Sequence, residues 1–174
     1  MGHPAARKAN STLAEGGGST VSRIGLISDT HGLLRPEALA FLQGCEHIVH
    51  GGDIGHPHIL EQLAAIAPVT AVRGNNDRSP WADAVPDTAS LQLHGVRLYV
   101  IHDLAELQID PAEEGVRVVV CGHSHQPKAE ERGGVWYVNP GSAGPPRFRL
   151  PISAAELKLD GGVVTPRIVE LVKR

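Results

Sequence analysis

Residues 23–53 read RIGLISDTHGLLRPEALAFLQGCEHIVHGGD. Two short apolar runs stand in this stretch, Arg23–Ser28 and Glu46–His50, and each stops at a polar cluster: Asp29-Thr30-His31-Gly32 after the first, Gly51-Gly52-Asp53 after the second. Runs of this length bounded by such residues read as buried strands. Between them Pro36 opens a helical pattern at Ala38, Leu39, Phe41 and Leu42, and Gly44 closes it. The pattern then repeats, with a helix over Ile59–Ile66 and a strand over Val69–Val72 that ends at Gly74-Asn75-Asn76-Asp77. Strands alternating with helices imply a parallel sheet with right-handed crossovers, so the fold class is α/β.

Downstream the periodicity changes. Arg78–Thr88 holds two prolines and reads as a loop. Leu91–Leu93 and Val96–Ile101 flank His94-Gly95 as a hairpin, and the second strand ends at His102-Asp103. Leu104–Glu114 reads as a short helix interrupted by Pro111, and Val116–Val120 as a deeply buried strand leading into Cys121-Gly122-His123-Ser124-His125. Two further hairpins turn at Gly133-Gly134 and at Asp160-Gly161-Gly162, the latter between Ile152–Leu159 and Val163–Leu171. The expected architecture is two packed sheets, one mixed and one largely antiparallel, with helices outside. Residues 1–20 carry no apolar period and end in a Gly/Ser/Thr run; they read as a disordered tail without the apolar stretch of a secretory signal, leaving 21–174 as a single domain.

The 174 residues suit one domain and are too few for a (β/α)8 barrel of about 250 residues. A formal charge of −3 gives no basic footprint for nucleic acid or an anionic membrane, and no apolar run approaches the roughly 20 residues of a spanning helix. The two cysteines, Cys45 and Cys121, have no CxxC partner, which argues against a disulfide framework or a zinc-thiolate site and fits a reducing cytoplasm. Ten histidines outnumber all aromatic residues together, so their placement decides the chemistry.

Five strand ends carry polar clusters, and ligands of open α/β sheets bind beyond the carboxyl ends of strands. Asp29, His31, Asp53, Asn75, His102, His123 and His125 are the donors so placed. Imidazole with carboxylate suits first-row divalent ions. Seven donors exceed one ion's needs and fit two ions that share a carboxylate. Two divalent ions outweigh two carboxylates, so the cluster would attract a phosphate and would lower the pKa of a bridging water. A single histidine at a strand end is ordinarily structural; five clusters in order are what carries the metal reading. His94 reads as a turn residue, His47, His56 and His58 as solvated or loop residues, and His3 lies in the tail. His50 reads as a packing residue, with a place beside the site as the alternative.

The order D-x-H, GD, GN-x-D, H and GHSH resembles the calcineurin-like metallophosphoesterase superfamily, and Asn139-Pro140-Gly141-Ser142 resembles its small phosphodiesterases of the YfcE type. The resemblance runs over about residues 23–171. It implies a four-layer α/β/β/α sandwich with two packed mixed sheets. It implies that Asp29, His31 and His125 hold one ion, that Asn75, His102 and His123 hold a second, and that Asp53 bridges them. The ions implied are Mn or Ni, with Zn, Fe or Co as alternatives. The implied reaction is hydrolysis of small phosphate esters by a metal-bridging hydroxide, with Asp53, Asn75 and His102 at the reacting centre.

Two positions depart from the pattern. Many members carry histidine where Asn76 stands, and an amide cannot protonate a leaving group, so good leaving groups should react best. Asp103 replaces the usual glycine after His102, either orienting a ligand or facing solvent. Asp77 is expected to accept hydrogen bonds from a ligand or from the Asn75-Asn76 loop. Asn76 and Arg147 are the candidate substrate contacts, although Arg147 and Arg149 also read as surface arginines, and Gly141-Ser142 as a tight turn.

An alternative is a non-catalytic protein-interaction scaffold, since the small subunit of the retromer complex is similar to this family. The complete donor set favours the enzyme. A P-loop NTPase is excluded by the absence of its glycine-rich motif, and a metallo-β-lactamase-like site by Gln126-Pro127 after His125. The implied partners are a small phosphate ester, no membrane and no nucleic acid; a homo-oligomer is left open.

Overall fold

The structure, a computed structural model, describes residues 21–173; the expected tail over residues 1–20 lies outside them. In chain order the strands and helices are β1 (Ser22–Ile27), α1 (Pro36–Leu42), β2 (His47–His50), α2 (Pro57–Ala64), β3 (Val69–Ala71), β4 (Thr88–Leu93), β5 (Val96–Ile101), β6 (Val116–Val120), β7 (Lys128–Arg132), β8 (Val135–Asn139), β9 (Ile152–Asp160) and β10 (Val163–Val172). They form two five-stranded mixed sheets, ordered β10-β9-β1-β2-β3 and β4-β5-β6-β8-β7. In the first, β1, β2 and β3 pair in parallel, as the helical crossovers require, while β9 and β10 add antiparallel.

The sheets pack face to face through one apolar layer. Ile24, Leu26 and Val49 from the first sheet meet Leu98, Val100, Val118, Val120 and Val138 from the second, all with no solvent exposure. Burying each such side chain stabilises the fold by about 1.5–3 kcal/mol. On the outer face of the first sheet, Ala38 and Leu42 of α1 and Ile59 and Leu63 of α2 pack against Ile27 and Ile48. The outer face of the second sheet presents Ile101, Val119 and Val135, covered by Leu104, Leu107 and Ile109.

That last cover differs from the expected helix over Leu104–Glu114. Only Leu104–Glu106 is helical, as one 3₁₀ turn capped by Asp103, followed by turns. Pro111 supplies no amide and disfavours helix at Asp110 before it, so the segment covers the sheet without becoming an α-helix. The 78–88 segment likewise contains a 3₁₀ turn, Pro80–Ala84, and the strand after it begins at Thr88, earlier than Leu91.

The second sheet is also less antiparallel than expected. β4–β5 and β7–β8 pair antiparallel, but β5–β6 and β6–β8 pair parallel. The turn at Gly133-Gly134 joins β7 to β8, and it is β8, the later strand, that docks beside β6. Hairpin chemistry does not specify which arm faces a third strand. The consequence is functional: the carboxyl ends of β1, β2, β3, β5, β6 and β8 meet where the two sheets join, as Asp29 N–H donates to Gly52 O (2.9 Å), Gly122 N–H to His102 O (2.9 Å) and Cys121 N–H to Val138 O (3.0 Å).

Candidate metal centre

Each loop at this rim turns sharply. Asp29, His31, Asp53, His123 and His125 all adopt left-handed backbone conformations, with φ between 48° and 73°. Such φ values are uncommon outside glycine, and backbone strain of this kind concentrates at functional sites. The turns are over-determined by their neighbours. A Cβ on Gly74 would lie 2.1 Å from Asp53 Oδ1, and one on Gly122 would lie 2.1 Å from Ser28 Oγ and 2.6 Å from Asp29 Oδ2. Glycine at both positions is what lets the loops close on the two carboxylates.

The atoms so gathered are mostly acceptors. Asp29 Oδ1 is buried and has no hydrogen-bond partner, with His125 Nε2 at 3.3 Å and His31 Nε2 at 3.8 Å. His31 Nε2 and His125 Nε2 are 3.3 Å apart. Asp53 Oδ2 lies 3.7 Å from His31 Nε2 and 3.4 Å from His102 Nε2, so one carboxylate oxygen faces both halves of the cluster. Asn75 Oδ1 sits 3.1 Å from His102 Nε2 and 3.2 Å from His123 Nδ1. Asp29, His31 and His125 form one group of converging donor atoms, and Asp29, Asp53 and His102 a second, each within 4.8 Å.

The tautomer of His102 is determined by its other nitrogen. Nδ1 is 2.7 Å from Gly51 O, a carbonyl that only accepts, so Nδ1 carries the proton and the neutral ring presents a lone pair at Nε2. That lone pair faces two oxygen acceptors. Burial alone would lower the His102 pKa, but the Asp53 carboxylate, the Gly51 carbonyl and Asp29 outweigh it and the net shift is upward. Burial would raise Asp53, but His102 and the Asn76 N–H hold it well below the usual carboxylate range. The site therefore favours positive charge, and a proton taken up by His102 is one way to supply it. An unpaired buried carboxylate oxygen and facing lone pairs fit divalent cations, whose binding would displace that proton.

A supporting layer holds these groups. Ser28 Oγ donates to Asp29 Oδ2 (2.6 Å), and Ser142 Oγ donates to Asp29 O (3.0 Å). Asp77 is buried and accepts from the N–H groups of Ile54 (3.0 Å), Gly55 (2.9 Å) and Gly74 (3.0 Å), tying the Asp53 loop to the Asn75 loop. Asn76 donates to Asp53 twice, through its backbone N–H to Oδ1 and its amide to Oδ2, both at 2.9 Å. Asp103 faces His123 rather than His102, with Oδ2 3.7 Å from His123 Nε2. Asn139 donates to Gly122 O (2.9 Å) and Ser124 Oγ (3.1 Å), bracing the GHSH loop. Gly141 N–H donates to Asn139 Oδ1 (2.8 Å), so the NPGS segment is a brace.

Ser28 acquires its role only from its contact with Asp29, while His50 takes the alternative place beside the site. His50 is fully buried, accepts from Gly52 N–H at Nδ1 (3.1 Å) and stands 3.0 Å from Thr30 Oγ1 at Nε2. Thr30 in turn donates to Ile54 O (2.9 Å), so the imidazole links the turns after β1 and β2. The other histidines lie elsewhere: His47 bonds Thr70, His56 caps α2 and His94 meets Glu46 and Ser22 at the far end of the fold. Arg147 lines a shallow cleft with His31, His125, Pro145 and Pro146, while Arg149 is exposed.

Residues 23–162 match the family model of the calcineurin-like phosphoesterase superfamily domain. The chain belongs to that superfamily. It is 36% identical over 159 residues to a "Probable metallophosphoesterase" of Methanothermobacter thermautotrophicus, covering 84% of this chain and 91% of the relative. It is 32% identical over 115 residues, 59% of each chain, to the phosphodiesterase YfcE of Escherichia coli K12. The solved structure of Vacuolar Protein Sorting 29 from Cryptosporidium parvum shares the fold at 18% identity, with a TM-score of 0.69 over 88% of this chain and 99% of that one. Metallophosphoesterase domains bind divalent metals, and the donor cluster described above is of the kind that does so. Among the described residues no helix is long and apolar enough to cross a membrane.

Proposed function

We propose that this metallophosphoesterase is a phosphodiesterase of small phosphate esters that works with two divalent transition-metal ions, Mn or Ni. The observation that carries the proposal is the convergence of lone pairs on Asp53: one oxygen faces His31 on one side and His102 on the other. In this reading Asp29, His31 and His125 hold one ion, Asn75, His102 and His123 hold the other, and Asp53 is shared. Ions bound there supply Lewis acidity, activating water as a nucleophile and neutralising a phosphoryl group.

The chain's own residues do the rest. Ser28 and the His123 N–H hold Asp29 Oδ2, leaving Oδ1 free for a cation. In this reading Arg147, which lines the cleft beside His31 and His125, pairs with a phosphoryl oxygen. Asn76 spends its amide on Asp53 and has no titratable proton, so protonation of the departing oxygen falls to solvent. Esters of acidic alcohols and phenols are therefore the better substrates. The two free cysteines are buried, which suits a reducing cytoplasm.

The experiment is hydrolysis of bis(p-nitrophenyl) phosphate by the full chain with added Mn or Ni, against an Asp53→Ala control. Turnover above that control is expected. Its absence in metal-loaded protein would leave a protein-interaction scaffold as the function of this fold.

A further inference from the structure

A cleft of about 340 Å³ opens beside His123 and runs over the outer face of the second sheet. Its position follows from strand register. Cys121, just past β6, shares a row with Asn139 and Lys128, and Val119, Tyr137 and Glu130 form the next row. Tyr137 thus lies one two-residue step, about 6.6 Å along the strands, behind the residue that leads through Gly122 into His123. A group whose phosphate sits at the metal centre reaches Tyr137 by following the strands.

The lining is specific in kind. Leu104 and the half-buried Tyr137 form an apolar wall, packed on the outer core of the second sheet. The Arg132 guanidinium stands over the Tyr137 ring, 4.1 Å from its centroid. This pair is a flat platform on which a planar ring stacks. The charges of the cleft cancel: Lys128 and Arg132 oppose Glu130 and Asp103, and Glu130 Oε1 lies 3.3 Å from Lys128 Nζ and 3.8 Å from Arg132 Nε. A second phosphate gains little there. An uncharged planar group with hydrogen-bonding edges meets the platform together with the polar side chains of Ser124 and Gln126.

We infer that this cleft is the subsite for one ester arm of the substrate, and that it selects a nucleoside, its base stacked on the Arg132–Tyr137 pair. Arg132 and Tyr137 are then specificity-determining residues, remote from the reacting atoms. The inference rests on the phosphodiesterase reading and narrows its substrate class to nucleotidyl esters without further charge on that arm.

Isothermal titration of the manganese-loaded full chain tests it, comparing adenosine 5′-monophosphate with ribose 5-phosphate. The two share the phosphoester and differ in the base. The nucleotide is expected to bind about tenfold more tightly. That ratio should fall toward one in Tyr137→Leu and in Arg132→Ala; the second change is at an exposed side chain and keeps the test valid if the first loosens the sheet. Equal affinities in the unmodified protein, or a ratio unchanged in both variants, overturns the subsite while leaving the phosphodiesterase reading standing. Binding of neither compound, with no turnover of bis(p-nitrophenyl) phosphate, overturns both.

Discussion

Asn76 grips both oxygens of Asp53, donating its backbone N–H to Oδ1 and its side-chain amide to Oδ2 at 2.9 Å each. The side-chain bond occupies the same oxygen that faces His31 and His102. The backbone half of this grip does not depend on the side chain, so position 76 can take a different non-proline side chain while keeping that bond. Asn76→His supplies a titratable group where the amide now stands. If proton delivery limits the rate, kcat/KM for a diester of an unactivated phenol, such as diphenyl phosphate, should rise more than for bis(p-nitrophenyl) phosphate, by roughly the 10²-fold floor of general acid catalysis. Equal changes for both leaving groups would count against proton delivery as the limiting step.

The unpartnered Asp29 Oδ1 gives a prediction that needs no substrate. A cation that binds only the folded chain stabilises it by mass action, about 2.7 kcal/mol at a hundredfold excess over Kd. Unfolding followed by calorimetry should therefore move upward with Mn and return with a chelator. Asp29→Asn, which keeps the shape and removes the charge, should abolish most of that shift. Because His102 is raised toward its protonated form, binding below neutral pH should also release protons, visible as a dependence of the titration enthalpy on buffer. An unshifted transition in the unmodified protein would show that no ion is held.

Much of this was legible in residues 23–125, because each donor cluster follows an apolar run too short to be anything but a strand. The βαβ order of β1 to β3 follows from the same alternation. The partners of β6 were not legible: Gly133-Gly134 marks a turn, but which arm lies beside β6 depends on packing over Val119 and Tyr137, residues distant in the chain. The helix expected over Leu104–Glu114 is confined to the single 3₁₀ turn that Asp103 caps, because Pro111 disfavours a helical path through Asp110. The donors stood out because chemistry restricts them to few residue types. Their supports stood out only in part: Asn139 belongs to a segment that carries the family resemblance and His50 has a place beside the site as its alternative reading, whereas Ser28 is an ordinary residue whose value lies in its contact with Asp29.

His50 links burial to pH. Gly52 N–H donates to its Nδ1, so Nε2 carries the proton toward Thr30, and no site remains for a second one. Burial pushes its pKa down from 6.5 to about 4. The unfolded chain therefore takes up a proton first as the pH falls, and stability present above 6.5 is lost progressively down to about 4. At about 1.4 kcal/mol for each unit, the loss approaches roughly 3 kcal/mol. Chemical denaturation of chelator-treated protein at pH 7, 6, 5 and 4 should show this slope on top of other acid effects. His50→Gln should flatten it over that window; an identical slope in the variant would assign the loss elsewhere.

Glu156 also loses its contribution in acid, but as a paired charge in the first sheet rather than as a buried neutral ring. It lies in the middle of β9, only 1% exposed, with Arg23 Nε of β1 2.6 Å from Oε1 and Arg167 Nε of β10 3.0 Å from Oε2. One carboxylate thus staples three adjacent strands, and Arg23 continues the network to Phe41 O and Gln43 O around α1. Burial would raise the Glu156 pKa, but Arg167 and Arg23 outweigh it and the net shift is downward. Its contribution is therefore complete above the ordinary carboxylate range and disappears as the pH falls through the lowered value. Glu156→Gln keeps the volume and exchanges two charge-assisted hydrogen bonds for neutral ones, at a cost of about 2 kcal/mol near neutral pH. Parallel urea titrations of both proteins should show this gap at pH 7 and its closure as the pH falls below the ordinary carboxylate range. A gap that persists in acid would mean that packing around β9, rather than the charge, is what position 156 supplies.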